Sequence, residues 1–141
     1  MAERPKKYLK TAYIVEHSVK FSAVVRKGFA VKNDSGDVIE TVAVTDNAFG
    51  IALDAGTSPA SGTKVKIRVA YFGHPGVVEA LVGTAGATAF APAKWASDGN
   101  IDATVGGGTG KLRVHGQFLE TGVVGDLVAL NLADAAWTVG S

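Results

Sequence analysis

The chain has 141 residues, 47% hydrophobic and 19% charged, which is enough apolar material to bury a core and excludes an intrinsically disordered protein. It contains no cysteine, so disulfides and cysteine-based metal sites are excluded. No apolar run reaches the roughly 18 residues of a membrane-spanning helix, and the 18 scattered glycines favour short strands with tight turns over long helices.

Residues 1–27 are predicted to form a basic N-terminal arm. Residues 1–32 hold eight Lys or Arg against two Glu, a net charge of +6, whereas residues 33–141 hold six Lys or Arg against eleven Asp or Glu, a net charge of −5. Such an arm either meets an acidic partner or is a solvated chain terminus, and charge alone leaves both interpretations open. The basic residues are not followed by the apolar segment of a secretory signal, so we expect the protein to be made and used inside a cell.

The first predicted β unit covers residues 29–71. It begins with the apolar segment Phe29-Ala30-Val31 and a turn over Asn33–Asp37, and it continues with the glycine-bounded segment Gly50–Gly56. Over Lys64–Tyr71, apolar residues alternate with Lys or Arg. This alternation predicts a strand with one buried face and one face in water.

Two further segments have less direct interpretations. Residues 77–89 predict either a pair of strands or a short helix followed by a strand. The sequence VGGGTGKL, residues 105–112, partly matches a phosphate-binding loop, but Val105 stands where the first glycine belongs and Leu112 where a Ser or Thr would hold Mg²⁺. The residues that follow alternate as in a strand, so we interpret this segment as a flexible turn before a strand.

The second predicted β unit covers residues 90–133 and repeats the first. Phe90-Ala91-Pro92, followed by the turn Ser97–Asn100, matches the beginning of the first unit. GQFLETG, residues 116–122, matches GIALDAG, residues 50–56, and residues 125–133 match residues 62–70. The order of the shared features indicates an internal duplication, in which Leu53 and Leu119 are expected at equivalent core positions.

These patterns predict a mainly β protein. We expect a compact β-barrel or sandwich built from two similar halves, with an extended N-terminal arm and at most one short helix. The arm over residues 1–27 is then followed by a single β domain over residues 28–141.

The residue types that usually carry chemistry form no recognisable catalytic or metal site. His17, His74 and His115 lack the spacing of metal ligands, and no Ser stands in a nucleophile elbow. We therefore predict no metal, no cofactor and no enzymatic activity.

The two β units together resemble the capsid decoration, or cement, proteins of tailed double-stranded DNA bacteriophages. In the first half the resemblance rests on Phe49–Gly56 and Lys64–Val69, and in the second on Ala96–Gly99 and Gly116–Leu130. It covers about residues 28–133 and is a similarity of spacing and residue class. The longer basic arm before residue 28 departs from it and leaves the mode of attachment open.

The resemblance implies a small β-rich subunit, commonly trimeric, that binds the major capsid protein on the outside of an expanded shell and stabilises it against internal DNA pressure. It implies assembly in the host cytoplasm and a final location on the virion, with no cofactor, no membrane and no nucleic acid as partner. For this chain we predict that the arm binds the capsid and that its basic and aromatic residues make the contact. These are Arg4, Lys6, Lys7, Tyr8, Lys10 and Tyr13.

Two other classes of function remain as alternatives. A β-barrel module that binds nucleic acid or carbohydrate is one, because Tyr8, Tyr13 and Phe21 interleave with lysines as in proteins that stack bases and contact phosphates. A small enzyme with its active site at a subunit interface is the other, although the sequence offers no reagent for it.

Overall fold

A computed structural model describes residues 13–41, 48–83, 86–95, 101–103 and 111–140, with the side chains of 94–95, 101–103, 111–115 and 133–140 left aside. The described residues form twelve β-strands and no helix. In chain order the strands are β1 Ile14–Ser18, β2 Val24–Val25, β3 Ala30–Asp34, β4 Asp37–Glu40, β5 Ala48–Ala52, β6 Gly56–Thr57, β7 Lys66–Tyr71, β8 Gly76–Leu81, β9 Pro92–Trp95, β10 Ile101–Ala103, β11 Lys111–Phe118 and β12 Leu127–Gly140.

The strands form two five-stranded antiparallel sheets and one two-stranded sheet. The first sheet has the order β1-β7-β5-β3-β4, the second has the order β10-β9-β11-β12-β8, and β2 pairs with β6. The mainly β prediction is therefore confirmed. Neither large sheet closes on itself within the described residues, so the fold is compatible with the predicted sandwich rather than with a barrel.

Alternation in the sequence explains why these segments are strands. In β7, Lys66 and Arg68 are exposed while Ile67 and Val69 are buried, as the period of two predicts. Residues 76–81 form β8 with the same alternation, and Ala87 makes an isolated bridge, so the described part of residues 77–89 contains one strand and no helix. Lys111, at the end of the apparent phosphate loop, begins strand β11, which rules out the helix that such a loop requires.

The two large sheets have the same strand order, with β1, β7, β5, β3 and β4 corresponding to β8, β12, β11, β9 and β10. The registers correspond as well, with Ala70 equivalent to Asn131, so the predicted match of residues 62–70 with residues 125–133 is wrong by two residues. One row of cross-strand neighbours in the first sheet, which we call the first outer row, is Ile14, Ala70, Ile51 and Ala30. Its counterpart in the second sheet, the second outer row, is Val77, Asn131, Gln117 and Pro92.

The short strands follow the same scheme. Val25 of β2 pairs with Gly56 of β6, and the isolated bridge between Ala87 and Gly122 takes the corresponding place in the second half. We use "first half" for residues 13–72 and "second half" for residues 76–140. That the halves arose by duplication of one unit stays a prediction.

The repeated glycine-bounded segment forms a strand end in which an acidic side chain replaces a backbone acceptor. Leu53 N–H donates to Arg68 O at 2.8 Å, and Arg68 N–H donates to the carboxylate of Asp54 at 3.0 Å. Leu119 N–H likewise donates to Ala129 O at 2.9 Å, and Ala129 N–H donates to Glu120 Oε1 at 2.7 Å. Leu53 and Leu119 thus hold corresponding positions. Both are half-buried at strand ends and not fully buried as the sequence predicts, although Leu53 packs against the buried core.

The buried residues form two clusters. One lies within the first half, between the first sheet and the short strands, and consists of Val19, Val25, Val31, Val38, Ala52, Ile67 and Val69. The other is shared by both halves. It joins Ala30, Ala48, Ile51 and Ala70 of the first sheet to Val78, Ala80, Val82, Ala87, Ala93, Phe118, Val128, Leu130 and Leu132 of the second half.

The described part of the predicted arm belongs to the β-structure. Ile14–Ser18 forms an edge strand on β7, and Val24–Val25 forms the short strand β2. Residues 1–12 lie outside the described residues. The division at residue 28 into arm and domain stays a prediction.

Candidate interaction surfaces

Of the six residues predicted to bind the capsid, the structure describes only Tyr13. Arg4, Lys6, Lys7, Tyr8 and Lys10 lie outside the described residues. Tyr13 is 52% exposed, and its carbonyl oxygen accepts a hydrogen bond from Tyr71 N–H at 2.9 Å.

The Tyr13 ring packs on the body of the protein. Its centroid lies 5.3 Å from that of Tyr71 in an edge-on arrangement and 4.8 Å from that of His74. Tyr13 therefore fixes the beginning of the described chain to the first sheet, with about half of its surface left to meet a partner.

The basic residues between Lys20 and Lys27 are paired with acids of the protein itself. Lys20 Nζ lies 2.6 Å from Asp34 Oδ2, and Arg26 Nε lies 3.0 Å from Glu40 Oε2. Lys27 Nζ lies 2.7 Å from Glu79 Oε1 and so links the first half to the second. Part of the charge asymmetry seen in the sequence is thus neutralised within the fold, although each exposed pair adds little stability.

Tyr71 is the centre of an aromatic cluster on three neighbouring strands. Its ring stacks on His17 with centroids 5.7 Å apart and meets Phe49 edge-on at 5.1 Å. The Tyr71 hydroxyl lies 2.6 Å from His17 Nε2. Burial raises the pKa of Tyr71 above its ordinary value, with the neighbouring Tyr13 adding to the effect, so the hydroxyl stays protonated as a neutral hydrogen-bonding group.

The cluster borders a cleft of about 350 Å³ that we call the aromatic cleft. It lies between β1, β7, β5 and the turn joining β3 to β4, and its lining is His17, Asn33, Gly36, Val38, Phe49 and Tyr71. The Asn33 side-chain oxygen accepts a hydrogen bond from Gly36 N–H at 2.8 Å, which fixes the turn at the rim.

The sequence does not indicate this cleft, because its pattern predicts only a turn at Asn33 and only the buried face of a strand at Tyr71. The described residues of its lining include no carboxylate. Their rings, imidazole, phenol and amide suit hydrogen bonding to neutral polar groups.

The second sheet has an exposed face, which we call the second outer face, and its described side chains are nearly uncharged. It carries the second outer row together with the alternate residues beside it. Val77 is 63% exposed, Leu127 is also exposed, and Asn131 and Gln117 face solvent. Among the described side chains of this face, the one charged residue is Glu79, which pairs with Lys27. Depletion of charge is typical of the centre of a protein interface.

Phe90, at one end of the second sheet, is 70% exposed and has a left-handed backbone, with φ of 70°. A bulky side chain is rare in that conformation because its Cβ crowds the backbone. The Phe90 carbonyl oxygen accepts a hydrogen bond from Gln117 Nε2 at 2.7 Å, which holds the turn in place. Val123 and Val124 add exposed apolar surface on the turn before β12.

The structure describes the side chains of two of the three histidines, and these two do not come together. His17 is in the aromatic cleft, His74 lies against Tyr13, and the side chain of His115 is outside the described part. Within the described residues no three His, Asp or Glu side chains are grouped as a metal site would need. The same residues include no helix long and apolar enough to cross a membrane.

No family model and no curated protein matches this chain. Among solved structures the fold is similar to the N-terminal base of the head fiber gp8.5 of bacteriophage phi29, with a TM-score of 0.59 and 13% sequence identity. The alignment covers 89% of this chain and 98% of that one. At this identity the similarity shows a shared fold.

Proposed function

We propose that this chain is a structural protein of a tailed-phage head, which binds the outer surface of the expanded capsid and stabilises it against the pressure of packaged DNA. The observation that carries the proposal is the fold similarity to a phage head fiber base, which extends over nearly the whole of both chains. The sequence resemblance to capsid decoration proteins supports the same class of function from different features, namely spacing and residue class.

Binding to the shell would by itself stabilise the shell. A subunit that bridges neighbouring capsid subunits adds binding free energy that must be lost before the shell opens. Three linked copies bind more tightly than one, because the second and third contacts form within an already bound complex. We therefore propose a homotrimer on the virion exterior, assembled in the host cytoplasm, with the major capsid protein as its partner.

The attachment element in this proposal is the segment before Tyr13. Arg4, Lys6, Lys7 and Lys10 supply positive charge, and Pro5 biases Arg4 toward extended backbone, which suits a segment lying along a surface. The packing of Tyr13 on Tyr71 and His74 supports this role, because it fixes the point from which the segment leaves the body.

Sedimentation of the protein with expanded, undecorated shells tests the proposal. We expect saturable binding that survives nuclease treatment of the shells. Absence of binding, together with binding to free DNA that weakens steeply as salt rises, would instead support the nucleic-acid-binding module.

A further inference from the structure

Within one chain, the two halves contact each other through the outer side of the first sheet and the inner side of the second sheet. Ala30, Ile51 and Ala70 of the first outer row are fully buried in the shared core. The same core includes Ala80 and Leu132, which lie on the inner side of the second sheet, the side that also carries Phe118. The outer side of the first sheet is thus covered by the inner side of the second half.

Among the described residues, the equivalent of one contact surface is exposed, and part of the equivalent of the other opens into the aromatic cleft. The second outer row, the counterpart of the first, is exposed at Val77, Asn131 and Gln117. In the first half, the strand registers place His17 and Tyr71 where the second half has Ala80 and Leu132. His17 and Tyr71 line the aromatic cleft.

Both of these surfaces carry polar residues where their equivalents in the contact between the halves are apolar. Where the covered contact has Ile51 and Ala70 on one side, the exposed counterpart has Gln117 and Asn131. Where it has Ala80 and Leu132 on the other side, the open counterpart has His17 and Tyr71. Apolar residues thus occupy both sides of the contact within the chain. Hydrogen-bonding residues occupy both equivalents, which are exposed on the second sheet and half-buried in the aromatic cleft. Polar, low-charge surfaces suit a contact between molecules that also exist apart.

We propose that copies of this chain associate head to tail, with the second outer face of one copy docking on the aromatic cleft of the next. The amides of Asn131 and Gln117 pair with the imidazole of His17, the hydroxyl of Tyr71 and the amide of Asn33. Gln117 already donates to the Phe90 carbonyl oxygen, which leaves its own oxygen as an acceptor. Among the described side chains of the second outer face, the charged Glu79 enters the contact together with its partner Lys27, so it is not left unpaired.

A head-to-tail contact joins different surfaces on the two copies, so it closes into a ring or continues as a filament. Closure after three copies gives the trimer of the proposed function. The contact itself does not involve the capsid, so it is measured in solution without shells. Its failure would leave capsid binding untouched, and failure of capsid binding would leave this contact untouched.

Cysteine cross-linking tests the pairing of the two surfaces, because the chain has no cysteine of its own. Asn33→Cys places a thiol at the rim of the aromatic cleft, and Asn131→Cys places one on the second outer face. We expect a mixture of the two variants with a short bismaleimide to give covalent dimers, and each variant alone to give none. In the control mixture Val24→Cys replaces Asn33→Cys. Val24 is exposed on β2, and Arg26, two residues later, donates to Glu40 at the end of β4 that lies away from the cleft. Val24→Cys mixed with Asn131→Cys should give no covalent dimers. Dimers from either variant alone, or none from the mixture, would overturn the head-to-tail arrangement.

Sedimentation velocity over a range of concentrations tests the strength of the contact. We expect the full chain to self-associate, and Asn131→Arg to weaken the association at least tenfold while the thermal unfolding temperature stays unchanged. Val24→Arg adds the same charge at an exposed strand position of the first half and should associate like the natural chain. A natural chain that remains monomeric at every concentration, or an equal loss in both variants, would overturn the proposal.

Discussion

Phe90 occupies in the second half the backbone position that Gly28 occupies in the first. Gly28 N–H donates to Ala52 O at 2.7 Å, and Phe90 N–H donates to Phe118 O at 2.7 Å. Both residues have left-handed backbones, with φ of 81° and 70°. Phe29, which the sequence aligned with Phe90, is buried, so that part of the alignment was wrong by one residue.

This correspondence predicts that Phe90 has a strained backbone and that its side chain does not stabilise the fold. Relief of the left-handed strain is worth roughly 1–2 kcal/mol, and the extra freedom of glycine in the unfolded chain takes back about 0.5–1 kcal/mol. We expect Phe90→Gly to raise the free energy of unfolding by about 0–1.5 kcal/mol in urea denaturation.

Gly28→Ala is the matched control and should behave in the opposite way. A Cβ at Gly28 would lie 2.6 Å from the backbone nitrogen of Leu81, which cannot move aside. We expect a loss of about 2–3 kcal/mol. A Phe90→Gly variant that loses more than about 1 kcal/mol would mean that the ring is covered by the rest of the chain.

The repeat could be found in the sequence but not placed correctly. The alternation of Lys66–Tyr71 and the shared glycine-bounded segments identify strands and their order, because both depend on local pattern. Residue type aligned the two phenylalanines, whereas backbone conformation aligns Gly28 with Phe90. The left-handed backbone of a bulky residue such as Phe90 cannot be predicted from a single sequence.

The aromatic cleft and the ion pairs could not be predicted from the sequence for a different reason. His17, Phe49 and Tyr71 are far apart in the chain and meet only because β1, β7 and β5 are neighbours in the sheet. Likewise, the charges of Lys20 and Arg26 are neutralised by Asp34 and Glu40, which approach only when the hairpin of β3 and β4 has formed. Such contacts depend on strand order, which local pattern does not determine.

Gly116 allows the close approach of β11 and β12. A Cβ built there would lie 2.5 Å from the carbonyl oxygen of Asn131, just as one at Gly50 would lie 2.4 Å from that of Ala70. We expect Gly116→Ala to lower the free energy of unfolding by about 3 kcal/mol, the upper part of the range for overpacking. Gly62→Ala has open space around the new methyl and a left-handed backbone, so it should cost about 1 kcal/mol. Equal losses at the two positions would contradict the close approach.

Asp54 makes stability depend on pH in the acid range. The Arg68 guanidinium, then the Arg68 N–H, lower the pKa of Asp54 from 3.8 to about 2. Because the folded-state pKa is lowered, the stabilisation is complete above about pH 4 and is lost as the pH falls toward 2. The difference in melting temperature between the natural chain and Asp54→Asn should therefore shrink between pH 4 and pH 2. Glu16→Gln, which removes an exposed carboxylate on β1, is the control. A melting-temperature difference between the natural chain and Asp54→Asn that stays constant from pH 4 to pH 2 would contradict the role of the Asp54–Arg68 pair.

Deletion of residues 2–12 tests the proposed attachment segment. We expect the melting temperature to change little, because β1 begins at Ile14 and Tyr13 keeps its contacts with Tyr71 and His74. Binding to shells should fall at least tenfold, which corresponds to about 1.4 kcal/mol or more. A truncated protein that binds shells as well as the intact chain would place the contact on loops of the body, with Asp34–Asp37 and Ser97–Asn100 as the next segments to test.

The central claim, that this chain binds the outside of a phage head, is tested most directly by electron microscopy of expanded, undecorated shells mixed with the purified protein. The proposed function predicts added density on the outer surface, saturating with protein concentration, in groups of three copies where capsid subunits meet. Shells that remain bare at saturating concentration, or added density confined to the inside of the shell, would contradict it.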